Sequence, residues 1–152
     1  MIFVTVGTTY AFDELVREVD EFARRSGEEV IIQLGNTSYQ PKNCKYFIFK
    51  KDISRYLSAA EIIITHGGAG TLFELLTMGK KIVALENLQV IDKHQSDILG
   101  KLESESHIIW CKRPSDIEKC LRLARKKNFR KYSSPECRIP DVIKEFLNNG
   151  AQ

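Results

Sequence analysis

The chain has no pair of cysteines at metal or redox spacing: its four cysteines, Cys44, Cys111, Cys120 and Cys137, are scattered without a CxxC. That argues against a zinc site or a dithiol redox motif, so reduced, structural thiols are expected. No apolar run approaches the roughly 18 residues of a membrane-spanning helix. The opening residues, MIFVTVG, enter a strand at once without a basic leader or a small-residue cleavage site, and a cytoplasmic chain is expected. A large excess of either charge is missing as well. A net charge of +3 does not call for nucleic acid, and the interleaved aromatic and basic residues of a single-strand binder are missing.

Several catalytic signatures are also lacking. No Lys-Ser or Lys-Thr closes a glycine loop in the Walker manner, and there is no GxSxG elbow. His66, His94 and His107 do not form an HExxH zinc pattern. No internal repeat, low-complexity tract or linker divides the 152 residues, of which 43% are hydrophobic and 28% charged. This is the make-up of one soluble domain, long enough for a core and too short for two full α/β domains. A function that needs a cleft between two such domains must recruit a second chain.

What is present alternates. Short apolar runs at 2–6, 30–34, 46–49, 62–65, 82–85 and 108–111 predict strands, and helical spacing predicts helices over 12–25, 53–59, 70–79, 92–103, 115–127 and 139–148. Phe12, Leu15, Val16, Val19, Phe22 and Ala23 share one face of the first helix, and Gly27 follows where a C-cap belongs. Strands alternating with helices predict an α/β domain, Rossmann-like, with a mainly parallel sheet covered on both faces. Residues 128–138 are expected to form a surface loop.

In such sheets ligands bind beyond the carboxyl ends of the strands. Four polar loops should lie there: GTTYAFDEL with Thr8 and Thr9, QLGNTSY with Gly35, HGGAGT, and ENLQVIDKHQ. The stretch IIITHGGAGTLFELLTMG places Gly67, Gly68 and Gly70 on a strand-to-helix turn. Glycine permits positive φ and close approach there, and the helix aims N–H groups at the same point. That suits a phosphate; a tight turn without a ligand is the plainer alternative. His66 is expected to face the phosphate, or else to bond nearby backbone at the helix end. Asp92, His94 and Gln95 offer the paired donors and acceptors that a sugar needs. A dinucleotide site is disfavoured, because Phe73 replaces the third glycine of GxGxxG and a whole βαβ unit precedes the motif. Arg122, Arg125, Lys126, Lys127, Arg130 and Lys131 suit either anionic headgroups and acidic partners or a solvated helix face.

The segment AAEIIITHGGAGTLFELLTMGKKIVALENLQVIDKHQSDIL resembles the donor-binding core of the glycosyltransferase family 28 C-terminal domain. FVTVGTTYAFDELV resembles a narrower group in that family: the small catalytic subunits of two-part UDP-GlcNAc transferases of dolichol-linked glycan synthesis and their prokaryotic relatives in exopolysaccharide assembly. The likeness runs from residue 2 to about 105, with VTVGTT, HGGAGT and DKHQ in order. It implies that residues 1–152 are one UDP-sugar-binding domain, equivalent to the C-terminal half of a GT-B glycosyltransferase.

Position by position, the resemblance implies that Gly67, Gly68, Ala69, Gly70 and Thr71, with His66 beside them, hold the donor diphosphate. Glu74 matches a residue that grips the ribose hydroxyls, with a helix-dipole partner as its plainer role. Phe49 and Lys50 fall where the family reads uracil, and Phe49 equally suits the core. Asp92, His94 and Gln95 match the end that contacts the donor sugar, Asp92 and Gln95 more closely. No DxD pair is present, so no metal and no cofactor beyond the UDP-sugar substrate is expected.

The reaction implied is inverting transfer of a hexose or N-acetylhexosamine to a lipid-linked acceptor. A membrane-anchored partner resembling the N-terminal half would bring acceptor and general base, holding this chain peripherally at the membrane. Its docking surface is expected from Leu121 through Lys131 to Phe146. Should the base lie within this chain instead, Asp92 and His94 are its weaker candidates. A nucleotide-sugar binding or regulatory module, and a small hydrolase using Asp92 or His94, are the alternatives.

Overall fold

Ile62, Ile63 and Ile64 are all completely buried, as a strand covered on both faces requires. In the computed structural model, which describes residues 1–88 and 94–134, they form the middle of β4 (Ile62–His66). The other strands are β1 (Ile2–Thr5), β2 (Val30–Gln33), β3 (Lys45–Phe47), β5 (Lys81–Leu85) and β6 (Ile109–Cys111). All six pair in parallel, in the order β3-β2-β1-β4-β5-β6. The helices are α1 (Asp13–Ser26), α2 (Ser54–Ala59), α3 (Ala69–Thr77), α4 (His94–Ser104) and α5 (Ile117–Lys126), the last entered through a 3₁₀ turn at Pro114–Asp116.

Period-2 alternation within buried strands sorts the side chains into two layers. Val4, Ile32, Ile64 and Val83 join α1 and α5 in one core; Phe3, Ile63 and Ile82 join α2, α3 and α4 in the other. α1 ends as expected, with Gly27 in the left-handed region at φ +69° and its N–H bonded to the Ala23 carbonyl. Asp20, facing inward from α1, accepts hydrogen bonds from the Tyr39 hydroxyl, the Lys42 and Asn43 N–H groups and the Asn43 amide, and so pins the loop between β2 and β3.

Two expectations need correction. β3 ends at Phe47, so Ile48 and Phe49 lie beyond the sheet. The Leu34 N–H bonds the Phe47 carbonyl and the Gly35 N–H bonds that of Ile48, turning the chain across the end of β2. The apolar stripe of α5, expected to take part in docking, is mostly packed inside, with Leu123 left 47% exposed. Leu121 and Ala124 are fully buried in the α1 layer. The basic residues around them take ordinary surface partners: Arg125 pairs with Glu28 and Glu61, Arg122 with Glu118, and the Lys127 ammonium bonds the Ile108 carbonyl. The helix expected over 139–148, Phe146 and Cys137 lie outside the described residues. Among the described residues the thiols of Cys44, Cys111 and Cys120 are free. Among the described residues no helix is long and apolar enough to cross a membrane.

Candidate functional site

The strand order reverses between β1 and β4. β1 leads into α1 on one face and β4 into α3 on the other, so the loops diverge and a crevice opens between them. A cavity of about 200 Å³ lies there, lined by Val6, Gly7, Thr8, Thr9, Tyr10, His66, Asn87 and Gln95. It gathers the first, third and fourth of the polar loops expected on this rim.

His66 ends β4 and occupies the middle of the crevice between two glycine backbones. A Cβ on Gly7 would fall 2.7 Å from His66 Cε1, and a Cβ on Gly68 would fall 2.5 Å from Nε2. Neither distance is tolerable, so both glycines make room for the ring. Gly7 also needs its freedom of φ, at +79°. The turn glycines differ from expectation on this point: Gly67, Gly68 and Gly70 do not take positive φ. Gly68 is extended at φ −68° and ψ 119°, and a Cβ on Gly67 would press on Gln95 at 3.0 Å. A Cβ on Gly70 would meet nothing within 4 Å, because it faces open space.

Burial pushes the His66 pKa below its ordinary value, with the Thr5 backbone opposing, so the ring is neutral at pH 7. Its Nδ1 is buried without a hydrogen-bond partner. Beside it, α3 starts behind Gly68, which offers no side-chain cap. Ala69, Gly70 and Thr71 precede the first bond of the helix, from the Leu72 N–H to the Gly68 carbonyl, so their N–H groups have no intrahelical acceptor. Ala69 and Gly70 are exposed. Three donors at a dipole's positive end can take up an anion. They reach the cavity through His66, against which Gly68 packs; residues 67–71 themselves are not among those lining it.

Gln95 on α4 lines this cavity, but its Oε1 is already engaged, accepting the Asn87 N–H at 3.2 Å. Asn87 itself escaped the sequence reading. It is buried just after β5, and its amide donates to the Ala11 carbonyl at 2.9 Å, tying the β5 loop to the entry of α1. Its one local signal was a polar residue two places beyond a buried strand.

Glu74, exposed on α3, and Phe49 and Lys50, beyond β3, lie outside the cavity lining. Phe49 is 59% exposed, which removes the core alternative for it. The Lys50 ammonium donates to the Tyr56 hydroxyl and sits 4.6 Å and 4.9 Å from the ring centres of Phe47 and Tyr56. Asp92 and the side chain of His94 lie outside the described residues. His107 is structural: its Nδ1 meets the Arg130 carbonyl at 2.9 Å. It helps line a larger cavity of about 460 Å³, with Phe73, Ile98 and Leu102 of α3 and α4 and Tyr132 of the C-terminal stretch.

The sequence model of the glycosyltransferase family 28 C-terminal domain matches residues 1–146. The UDP-N-acetylglucosamine transferase subunit ALG13 of Mus musculus is 34% identical in an alignment 122 positions long that covers 72% of this chain and 10% of that protein. This chain thus spans about a tenth of that relative's length. Among solved structures, an NMR structure of ALG13 superimposes with a TM-score of 0.63 over 96% of this chain and 94% of that one, at 18% identity. MurG from Acinetobacter baumannii superimposes with a TM-score of 0.66 over 97% of this chain and 49% of its own, at 17% identity. The fold is therefore that of one half of a GT-B glycosyltransferase. With a family match running almost the length of the chain and the fold in agreement with it, the chain belongs to the glycosyltransferase family 28 C-terminal domain family.

Proposed function

We propose that the chain is the donor-binding catalytic subunit of a bipartite inverting glycosyltransferase, which moves a hexose or N-acetylhexosamine from a UDP-sugar to a lipid-linked acceptor. One observation carries this reading: at the β1–β4 switch point, the open N-terminus of α3 adjoins a cavity holding Thr8, Thr9, His66 and Gln95. In this reading Gly67, Gly68, Ala69, Gly70 and Thr71 receive the diphosphate, with the neutral His66 ring beside it. Glu74 takes the ribose diol, Phe49 and Lys50 take the uracil, and Asp92, His94 and Gln95 take the sugar. The acceptor hydroxyl attacks the anomeric carbon from the face opposite UDP, its proton passes to a base, and the glycosidic oxygen leaves on the phosphate. Fixed donors of α3 stabilise the charge growing there. The sequence has no DxD pair, so we assign this role to the helix rather than to a cation or cofactor.

The residues described as lining the cavity include no carboxylate, and burial keeps His66 a weak base. This favours a base and acceptor site on a second, membrane-anchored subunit resembling the N-terminal half of the fold. The chain would then be cytoplasmic and peripheral. The word subunit in the name of the mouse relative supports a partner. The same missing carboxylate supports one other reading, a nucleotide-sugar binding module without turnover.

Calorimetric titration with UDP, ADP and NAD tests the donor assignment. UDP is expected to bind most tightly, and tighter binding of ADP or NAD would overturn it. Radiolabelled sugar transfer into lipid is expected only when the purified chain is combined with membranes containing the partner. Steady transfer by the chain alone would place the base in this domain and make Asp92 and His94 the first residues to test.

A further inference from the structure

We propose that Gln33 positions the Phe49–Lys50 turn for the base of the donor nucleotide, an inference that rests on the donor reading above. Gln33 ends β2, whose other residues, Val30, Ile31 and Ile32, are all apolar. It is 5% exposed, and an amide withdrawn from water costs free energy unless both of its ends are used. Both are used. Its Oε1 accepts the Lys50 N–H at 3.3 Å, and its Nε2 donates to Thr5 Oγ1 at 3.5 Å across the strand pair in which the two residues are register partners. An apolar residue would fill the same space. The amide adds a defined place for a loop that the sheet no longer holds.

The geometry around Gln33 shows why that place matters. Leu34 and Gly35 bond the carbonyls of Phe47 and Ile48, and Gln33 then takes the N–H of Lys50. Phe49 sits between these anchors, and the ammonium of Lys50 is tied on the far side to Tyr56. An aromatic ring is therefore kept exposed on a turn pinned at both ends. A preorganised platform of this kind spares ligand binding much of the cost of ordering a loop. The same strand end braces the phosphate side: Gly35, at φ +55°, lies so close to the β1 loop that a Cβ on it would fall 1.7 Å from the Gly7 carbonyl oxygen. Gly35 acts through the backbone and Gln33 through its side chain, so the two effects can be separated by mutation.

The test compares UDP with inorganic pyrophosphate, each titrated by calorimetry into the wild type, Gln33→Met, Gln33→Glu and Thr5→Val. Gln33→Met keeps the volume and removes the acceptor. UDP affinity is expected to fall about tenfold, roughly the worth of one lost buried acceptor, with pyrophosphate affinity unchanged within about twofold. Gln33→Glu retains an oxygen for the Lys50 N–H, and the Thr5 hydroxyl can turn to donate to it, so UDP should bind within about threefold of wild type. Thr5→Val frees the other end of the amide and should cost UDP about threefold, again sparing pyrophosphate. It carries the test should Gln33→Met fail to fold. Equal losses for both ligands, or no loss for UDP, would show that Gln33 only stabilises the fold and would overturn the proposal while leaving the donor reading intact. A wild-type chain that binds pyrophosphate but not UDP would overturn both.

Discussion

Asp20 and His66 are both polar side chains drawn out of water, and the chain treats them in opposite ways. Asp20, 1% exposed, has four donors turned upon it, all from the Tyr39–Asn43 stretch. Burial raises its pKa, but those hydrogen bonds outweigh the burial and hold it below the ordinary carboxylate value. His66 has no such set. Its Nδ1 is unpartnered, burial lowers its pKa, and two glycines clear space for the ring on the cavity wall. A buried polar group with every bond made is holding the fold together; one left open beside a cavity and a bare helix terminus is placed for something that arrives later.

The largest effect that sharpens this contrast should come from Asp20→Ala. It strands several part-buried donors at once, and a loss of about 3 kcal/mol in urea unfolding is expected. UDP affinity of the folded fraction should stay within about twofold, and a larger drop would mean that the Asp20 network also serves the ligand. Gly68→Ala should do the reverse. Its backbone angles suit alanine, so the overpacking, about 1–3 kcal/mol of stability, falls on the His66 ring, and displacing that ring should weaken UDP binding about tenfold with an unchanged circular dichroism spectrum. Unaltered UDP binding would remove His66 from the site.

Glu74→Ala tests a still more local effect. Glu74 is exposed, so stability should stay within about 0.5 kcal/mol. UDP should weaken about tenfold, and 2′-deoxyuridine diphosphate much less. Equal losses for both ligands would detach Glu74 from the ribose.

The smallest effect should be in pH dependence, where the two groups occupy separate windows. With its folded pKa depressed, His66 binds fewer protons in the native state than in the unfolded state below the ordinary value of 6.5. Its contribution is complete above that value and is lost as pH falls toward the folded pKa. Asp20 behaves in the same sense lower down: its contribution is complete above its ordinary value of 3.8 and disappears as pH falls through the folded pKa. Urea midpoints measured from pH 8 to pH 3 should show both declines, and His66→Asn should flatten only the upper one.

Much of the rim could be read from the chain because it follows from local pattern. Gly67 and Gly68 join a buried strand to a helix that opens with Ala69, Gly70 and Thr71, and in an all-parallel sheet every such junction falls on the same edge. What escaped were contacts that join distant segments. Asn87 reaches Ala11, and Gln33 reaches Lys50 and Thr5. Gly35 resembled an ordinary loop glycine until its distance from Gly7 was known. The expected positive φ was assigned to the conspicuous glycines of HGGAGT, whereas Gly7 and Gly35, on neighbouring loops, take it. The expected docking surface began at Leu121 because spacing shows that α5 has an apolar face, but not how much of that face is already covered.

The sequence by itself determined the alternation of strands and helices, the cap at Gly27, the strand-to-helix glycine turn and the polar character of the loops. Each of these rests on side-chain type and on periods of two and 3.6 residues within one short segment. Tertiary structure alone decided which strands adjoin, and with that where the crevice opens. It decided that His66 lies between Gly7 and Gly68, and that Gln33 braces the turn bearing Phe49. Those facts depend on the distance between residues far apart in the chain, which packing sets and local spacing does not encode.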